Sequence, residues 1–241
     1  METMRLKTIS QANITWDEKG LPHSVAFDDK YFCELDGYAE SLYTFCGGNQ
    51  LIERFQKLNS ETFTIGETGF GTGLNFLSAW QLFEKHASAN SHLHFISLEK
   101  FPMTRNDLQR SLSVWKDLNR EANQLVSQYD QICSEGEVQF LNGRITLTIV
   151  FDDVLNALDE MKKRSYAIDA WFLDGFAPSK NPEMWSLEVF KRLAAISHKE
   201  TTLATFTCAG HVRRGLEEAG FQMEKAPGFG MKRHMLKGRK L

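Results

Sequence analysis

The sequence predicts a doubly wound α/β domain: a mostly parallel sheet covered by helices, with an antiparallel edge strand and an N-terminal extension. Three observations predict it. From Thr62 onward, apolar runs of strand length alternate with amphipathic runs of helix length. The first of these strands runs into Gly69-Phe70-Gly71-Thr72-Gly73, with three glycines at alternate positions, and a helix starts at about Leu74. The last two strand candidates, Phe221 to Ala226 and Arg233 to Lys237, are joined by the turn Pro227-Gly228-Phe229-Gly230 and read as an antiparallel pair.

Residues 1–60 fall outside the alternation. Ile14-Thr15-Trp16 is strand-like and Asp17-Glu18-Lys19-Gly20 has turn chemistry. Aromatic residues interleaved with polar ones through Phe45 suggest an extension laid over a pocket, with a small hairpin on the domain edge as the plainer reading. Leu51 to Leu58 has the spacing of a short amphipathic helix. The domain proper is placed at 61–241.

Phe63 to Gly66 is the first buried strand, and Leu74 to about Lys85 its helix. Glycines at the junction let a backbone turn sharply and let a ligand approach, and the helix N-terminus completes a nucleotide-cofactor cradle. The loop reads G-x-G-x-G and is preceded by Glu67, whereas a dinucleotide fingerprint reads G-x-G-x-x-G. An acid there repels a pyrophosphate and suits a cationic ligand such as S-adenosylmethionine (SAM). Leu93 to Leu98 is the second strand and ends at Glu99, the position from which doubly wound folds hold ribose hydroxyls. Thr104 to about Tyr129 is a long helix or helix pair. Ile145 to Phe151 is the third strand, ending in Asp152-Asp153; Asp153 reads as an adenine contact or as the N-cap of the helix that follows. Ile168 to Leu173 is the fourth strand and ends at Asp174, followed by a proline-stiffened loop to Trp185. A carboxylate there faces the ligand crevice and can hold an amine. Ser186 to Ile196 and His211 to Ala219 are helices, and Thr202 to Thr207 is the fifth strand. The terminal antiparallel pair distinguishes a SAM methyltransferase from a dehydrogenase of similar layout.

Composition excludes several classes. Hydrophobic residues are 42% and charged residues 24%, ordinary for a globular protein. The net charge of −3 does not announce a nucleic-acid binder, but its distribution is uneven. From His211 to Leu241 eight Lys/Arg stand against three acids, a net +5, which leaves −8 for the rest. A basic end on an acidic body is a candidate phosphate-binding face, or a solvated tail. The four cysteines include no C-x-x-C pair, so neither a zinc site nor a disulfide scaffold is expected. His92 and His94 share a strand face, but no third ligand is visible and no metal is expected. No signal peptide or membrane-spanning run is present, and a cytoplasmic setting is expected.

The assembled motifs carry a resemblance. Glu67 to Leu77, Phe95 to Pro102, Asp169 to Trp185, and Thr202 to Thr207 with Arg213 to Leu216 resemble the methyltransferase domain of the MnmC family, bifunctional bacterial proteins of tRNA wobble-uridine modification. The likeness runs from about Tyr31 to Gly238. It implies SAM-dependent N-methylation of 5-aminomethyl-(2-thio)uridine at tRNA position 34. It implies further that Glu67, Gly69, Gly71, Gly73 and Asn75 hold SAM, with Glu99 at the ribose, Asp153 near adenine and Asp174 by the substrate amine. The family's fullest form continues into a flavin-dependent oxidoreductase, so an FAD-dependent domain, fused or separate, is an expected partner beside tRNA.

On this reading Asp174 orients the amine and accepts its proton. Phe176 and Phe229 are candidates to stack on the extruded base, and Trp185 reads as core. Pro178 shapes the pocket loop, Lys180 stands at the pocket mouth, and Arg213, Arg214, Lys232 and Arg233 face the tRNA backbone. The rivals are a SAM methyltransferase of another amine, on a small molecule or protein, an NAD-dependent oxidoreductase, which Glu67 and the glycine spacing disfavour, and a non-catalytic RNA-binding module.

Overall fold

The computed structural model describes residues 10–33 and 36–241. The chain opens with a small antiparallel sheet of β1 (Ile14–Trp16), β2 (Pro22–Ser24) and β3 (Asp29–Lys30). Asp17 closes its first turn by accepting from the N–H groups of Lys19 and Leu21 at 2.9 and 2.8 Å. Next come α1 (Gly37–Glu40), capped by Asp36, a π-helical segment over Ser41–Gly47, and α2 (Leu51–Gln56). Leu51 and Phe55 are fully buried, and Phe55 meets Phe63 and Phe83 edge-on with centroids 5.2 and 5.3 Å apart. Core packing therefore runs straight across residue 60.

The main sheet is built from β4 (Thr62–Thr68), α3 (Leu74–His86), β5 (His92–Glu99), α4 (Arg105–Leu112), α5 (Asn119–Glu135), β6 (Glu137–Phe140), β7 (Ile145–Phe151), α6 (Val154–Lys163), β8 (Ile168–Phe172), α7 (Leu187–Ala195), β9 (Ser197–Thr205), α8 (Gly210–Glu218), β10 (Phe221–Pro227) and β11 (His234–Lys240). The spatial order is β10-β11-β9-β8-β4-β5-β7-β6. The five strands β9, β8, β4, β5 and β7 run parallel. The chain starts this parallel run in the middle, at β4, and builds outward to β5 and β7 on one side and to β8 and β9 on the other. The switch in strand order therefore lies beside β4, where a crevice opens at the carboxyl ends.

The expected terminal antiparallel pair is present, with β11 inserted between β9 and β10 rather than outermost. The opposite edge is antiparallel as well, through β6 on β7, which the sequence reading passes over. β6 has only four residues and follows directly on α5 through Gly136 at φ +78°, so no separate apolar run marks it.

Two apolar layers cover the two faces. Phe76, Trp80, Phe83, Leu125 and Tyr129 lie on one side, and Leu158, Met161, Val189, Phe190, Leu193 and Leu216 on the other. Adjacent residues of the central strands divide between them: Phe95 and Ala170 face the first, Ile96 and Trp171 the second, as a strand buried on both faces requires. Gly66 in β4 packs under the Trp171 ring, and a Cβ there would sit 2.4 Å from it. Trp171 is fully buried and cannot yield. Gly66→Ala is therefore expected to cost about 3 kcal/mol of stability, read as a lower urea midpoint at unchanged m-value. Among the described residues no helix is long and apolar enough to cross a membrane.

Candidate active site

A cavity of about 1180 Å³ opens at the carboxyl ends of β4, β5, β7 and β8, beside the switch in strand order. Its floor is the glycine loop. Gly69, Gly71 and Gly73 take φ of +122°, +53° and +71°, a region that side chains rarely adopt. Glu99, at the end of β5, ties this loop to its own turn: its carboxylate accepts from Gly71 N at 2.9 Å and from Phe101 N at 2.7 Å. Burial pushes the Glu99 carboxyl up, and these backbone donors oppose the shift. Gly73 faces away from the cavity. A Cβ there would meet the Phe70 ring at 2.8 Å and Leu125 at 3.0 Å, so its bareness lets the loop close onto α5.

Asn75, in the first turn of α3, is the junction of the polar network. Its Oδ1 accepts from Ser41 Oγ at 2.6 Å, and its Nδ2 donates to Asp174 Oδ2 at 2.7 Å and to Glu67 Oε1 at 2.9 Å. Glu67 also accepts from Ser97 Oγ at 2.7 Å. It is fully buried and does not line the cavity. Burial drives its carboxyl well above the usual range, and the neighbouring Asp174 adds to the shift. Asp174 follows β8 into the cavity. Its Oδ1 accepts from Gly175 N at 2.8 Å, and its carbonyl accepts from Thr68 Oγ1 at 2.8 Å. Burial is the main reason that its carboxyl is pushed up to about 6.

The loop after Asp174 is held from outside by the N-terminal segment. Phe176 stacks on Phe27, centroids 4.6 Å apart, and meets Tyr31 edge-on at 5.2 Å. Ala177 N donates to Asp29 Oδ2 at 2.9 Å, and Lys180 pairs with Asp28 at 2.5 Å. Trp185 anchors the loop in the core, 4% exposed, its indole N–H donating to Phe176 O at 3.0 Å. Across the cavity, Lys232 of the β10–β11 turn pairs with Glu40 at 2.6 Å.

Of the residues singled out in the sequence, Gly69, Gly71, Asn75, Glu99, Asp153, Asp174, Phe176, Lys180 and Lys232 line this one cavity. Asp153 does so while capping α6, its Oδ1 accepting from Leu155 N and Asn156 N, which is the N-cap reading of it. Others are placed elsewhere. Glu67 lies behind Asn75 and orients it, because a strand interior buries its side chain. Pro178 sits in the turn whose ends are joined by Ala177 O accepting from Lys180 N and Asn181 N, and it lies off the cavity wall. Phe229 turns away toward Tyr43, centroids 6.0 Å apart. Arg213, Arg214 and Arg233 are off the cavity wall, and Arg213 is paired with Glu217. Phe176 has one face already covered by Phe27, which leaves at most its other face for a base.

The sequence reading misses Glu40, Ser41, Phe27, Tyr31 and Ser97. The interleaved aromatics before residue 46 are the signal for the first four. Nothing in the sequence marks Ser97, whose role comes from its register opposite Glu67.

Residues 116–241 match a family described as S-adenosyl-L-methionine-dependent methyltransferase. The chain is 48% identical over 237 residues to the tRNA 5-methylaminomethyl-2-thiouridine biosynthesis bifunctional protein MnmC of Methylobacillus flagellatus, covering 98% of this chain and 36% of that protein. It is 51% identical over 229 residues to the protein of the same name from Ectopseudomonas mendocina, covering 94% and 34%. The chain thus spans about a third of the length of these relatives. The crystal structure of MNMC2 from Aquifex aeolicus superposes with a TM-score of 0.75 at 20% identity, covering 95% of this chain and 70% of that one, a likeness of fold.

Proposed function

Because the chain belongs to the S-adenosyl-L-methionine-dependent methyltransferase family, we propose that it methylates the amine of 5-aminomethyl-(2-thio)uridine at position 34 of tRNA, giving the 5-methylaminomethyl product. The observation that carries this reading is Asp174: a carboxylate pushed up to about 6, held by Asn75 and Gly175 inside the cavity that the glycine loop floors. The names of the relatives supply the nucleoside. The cavity supports two occupants, since its volume of about 1180 Å³ exceeds the usual single-ligand range of roughly 300–1,000 Å³.

The residues present fit the cofactor. The glycine loop offers backbone without Cβ atoms, and Glu99 keeps a lone pair on each oxygen for ribose hydroxyls after accepting its two backbone bonds. Asp153 lines the cavity and is the residue proposed for the adenine edge. When bound, SAM supplies an electrophilic methyl on a sulfonium. The chain supplies the rest. A primary alkylamine resembles lysine, with a pKa near about 10.4, and reaches the site as ammonium. Asp174 takes one proton from it, which frees the nitrogen lone pair, and the raised Asp174 pKa makes this carboxylate a better base than an ordinary aspartate. Phe27, Tyr31 and Phe176 wall the amine from water.

Lys180, Lys232, Arg213, Arg214 and Arg233 are the cations proposed for the tRNA backbone, and Phe176 the ring for the wobble base. Arg214 and Arg233 are exposed. An FAD-dependent oxidoreductase domain, fused or separate, is the proposed partner that exposes the amine by removing a carboxymethyl group.

The test is methyl transfer from labelled SAM to two tRNA pools, one with 5-aminomethyluridine at the wobble position and one with the carboxymethylaminomethyl form. Label is expected in the first pool alone. Label in neither, with SAM bound, overturns the substrate assignment.

A further inference from the structure

The turn between β10 and β11 sends one side chain back into the cavity. Lys232 Nζ lies 2.6 Å from Glu40 Oε1 and 4.7 Å from the centroid of the Phe206 ring. Glu40, Phe206 and Lys232 line the same cavity as Asp174. The Glu40 side chain is only 11% exposed, and a carboxylate so enclosed needs a cation. The cation comes from an exposed turn, where Met231 is 90% exposed, rather than from a packed element.

A lysine head is a primary alkylammonium, the same group as the aminomethyl arm of the proposed substrate. We infer that Glu40 and the Phe206 face form an ammonium subsite for that arm, which Lys232 fills until the substrate displaces it. The inference rests on the substrate reading given above. Exchanging one ammonium for another leaves Glu40 paired throughout, so no buried charge is stranded and the exchange costs little. The released Lys232 stays on its turn at the cavity rim, where a substrate phosphate can take its charge.

The subsite also divides the labour between two carboxylates. Asp174 is held by Asn75 and Gly175, whereas Glu40 is held by Lys232. Glu40 lies near enough for its charge to act on Asp174. In this division Glu40 receives the ammonium and Asp174 removes its proton. The methylated product is a secondary ammonium, and an aromatic face accommodates its added methyl.

The experiment uses the 5-aminomethyluridine nucleoside, which has no phosphate, with 5-hydroxymethyluridine as its neutral isostere. Each is titrated by calorimetry into protein saturated with S-adenosylhomocysteine. The wild type should prefer the amine. Glu40→Gln should cut that preference about tenfold, the value of one hydrogen bond to a charged group. Lys232→Met removes the competing ammonium and keeps an apolar stem on Phe206. It should tighten the amine about tenfold and leave the alcohol unchanged. Unchanged S-adenosylhomocysteine affinity establishes that each variant is folded, and if Glu40→Gln is not, Lys232→Met alone decides. A Glu40→Gln protein that keeps the preference, or a Lys232→Met protein whose amine affinity stays the same or falls, overturns the inference. The wild-type tRNA assay is read separately. No transfer to aminomethyl tRNA, with the nucleoside pattern as expected, overturns the substrate reading and leaves the subsite; the reverse overturns the subsite alone.

Discussion

Asp174→Asn should lower kcat/KM for methyl transfer by roughly 10²- to 10⁴-fold, the span of a lost general base, with a far smaller change in SAM affinity. The pH profile separates this from a structural effect. The Asp174 carboxyl titrates at about 6, so wild-type kcat/KM should fall as pH drops below that value and level off above it. The variant should lack this limb. Stability should move in the opposite sense. The folded-state pKa lies above the ordinary 3.8, so between 3.8 and about 6 the folded protein binds the extra proton. Stability from this group is therefore greatest at low pH and is lost as pH rises through that window. At pH 7 the ionised group costs at most about 3 kcal/mol, less to the extent that water in the cavity screens it. The difference in Tm between Asp174→Asn and wild type should become more positive from pH 4 to pH 7. A variant that kept full turnover, or a difference flat across that range, would remove Asp174 from the proton step.

Glu99→Ala should weaken SAM binding by about 100-fold or more, with kcat at saturating SAM reduced much less. Two backbone N–H groups, of Gly71 and Phe101, lose a charged acceptor together, and each such bond is worth about 1.5–3 kcal/mol. Gly71 is then free to leave the backbone shape that receives the ligand. Calorimetric titration of S-adenosylhomocysteine is the direct check. Glu99→Gln refines it: one oxygen still accepts, while the amide nitrogen opposes the second N–H, so an intermediate loss is expected. A Glu99→Ala protein that binds as the wild type does would show that the loop holds its shape without the carboxylate.

The physical basis of these two predictions differs in how it could be read. Glu99 was legible because its distance from the glycines and its place at a strand end are properties of the chain alone. A second strand beside the first must end next to the same crevice. Asp174 was legible for the same reason, through the apolar run Ile168 to Leu173 and the odd loop behind it. Glu67 was legible as important but not in its role. Its side chain enters the sheet interior, and only the pairing of Glu67 with Ser97 across two strands turns it into a support for Asn75.

The basic C-terminal segment read from charge alone as one face. Folded, it spreads over α8 and a strand pair, and much of its charge is spent on neighbours: Arg213 on Glu217, Lys237 on Glu224, Arg239 on Glu200 and Lys232 on Glu40. A charge count along the chain cannot see which cations are already paired, and the stacking candidate Phe229 lies off the cavity wall, beside Tyr43.

The sequence by itself determined the βα alternation, the glycine loop and the carboxylates at the strand ends, because periodicity and turn chemistry act over a few residues. Tertiary structure alone decided what surrounds those carboxylates. Ser41 reaches Asn75 across 34 positions, Lys180 reaches Asp28 across 152, and Lys232 reaches Glu40 across 192. Such contacts leave no local pattern, since each side chain is ordinary where it stands and acquires its role only when the fold brings its partner beside it.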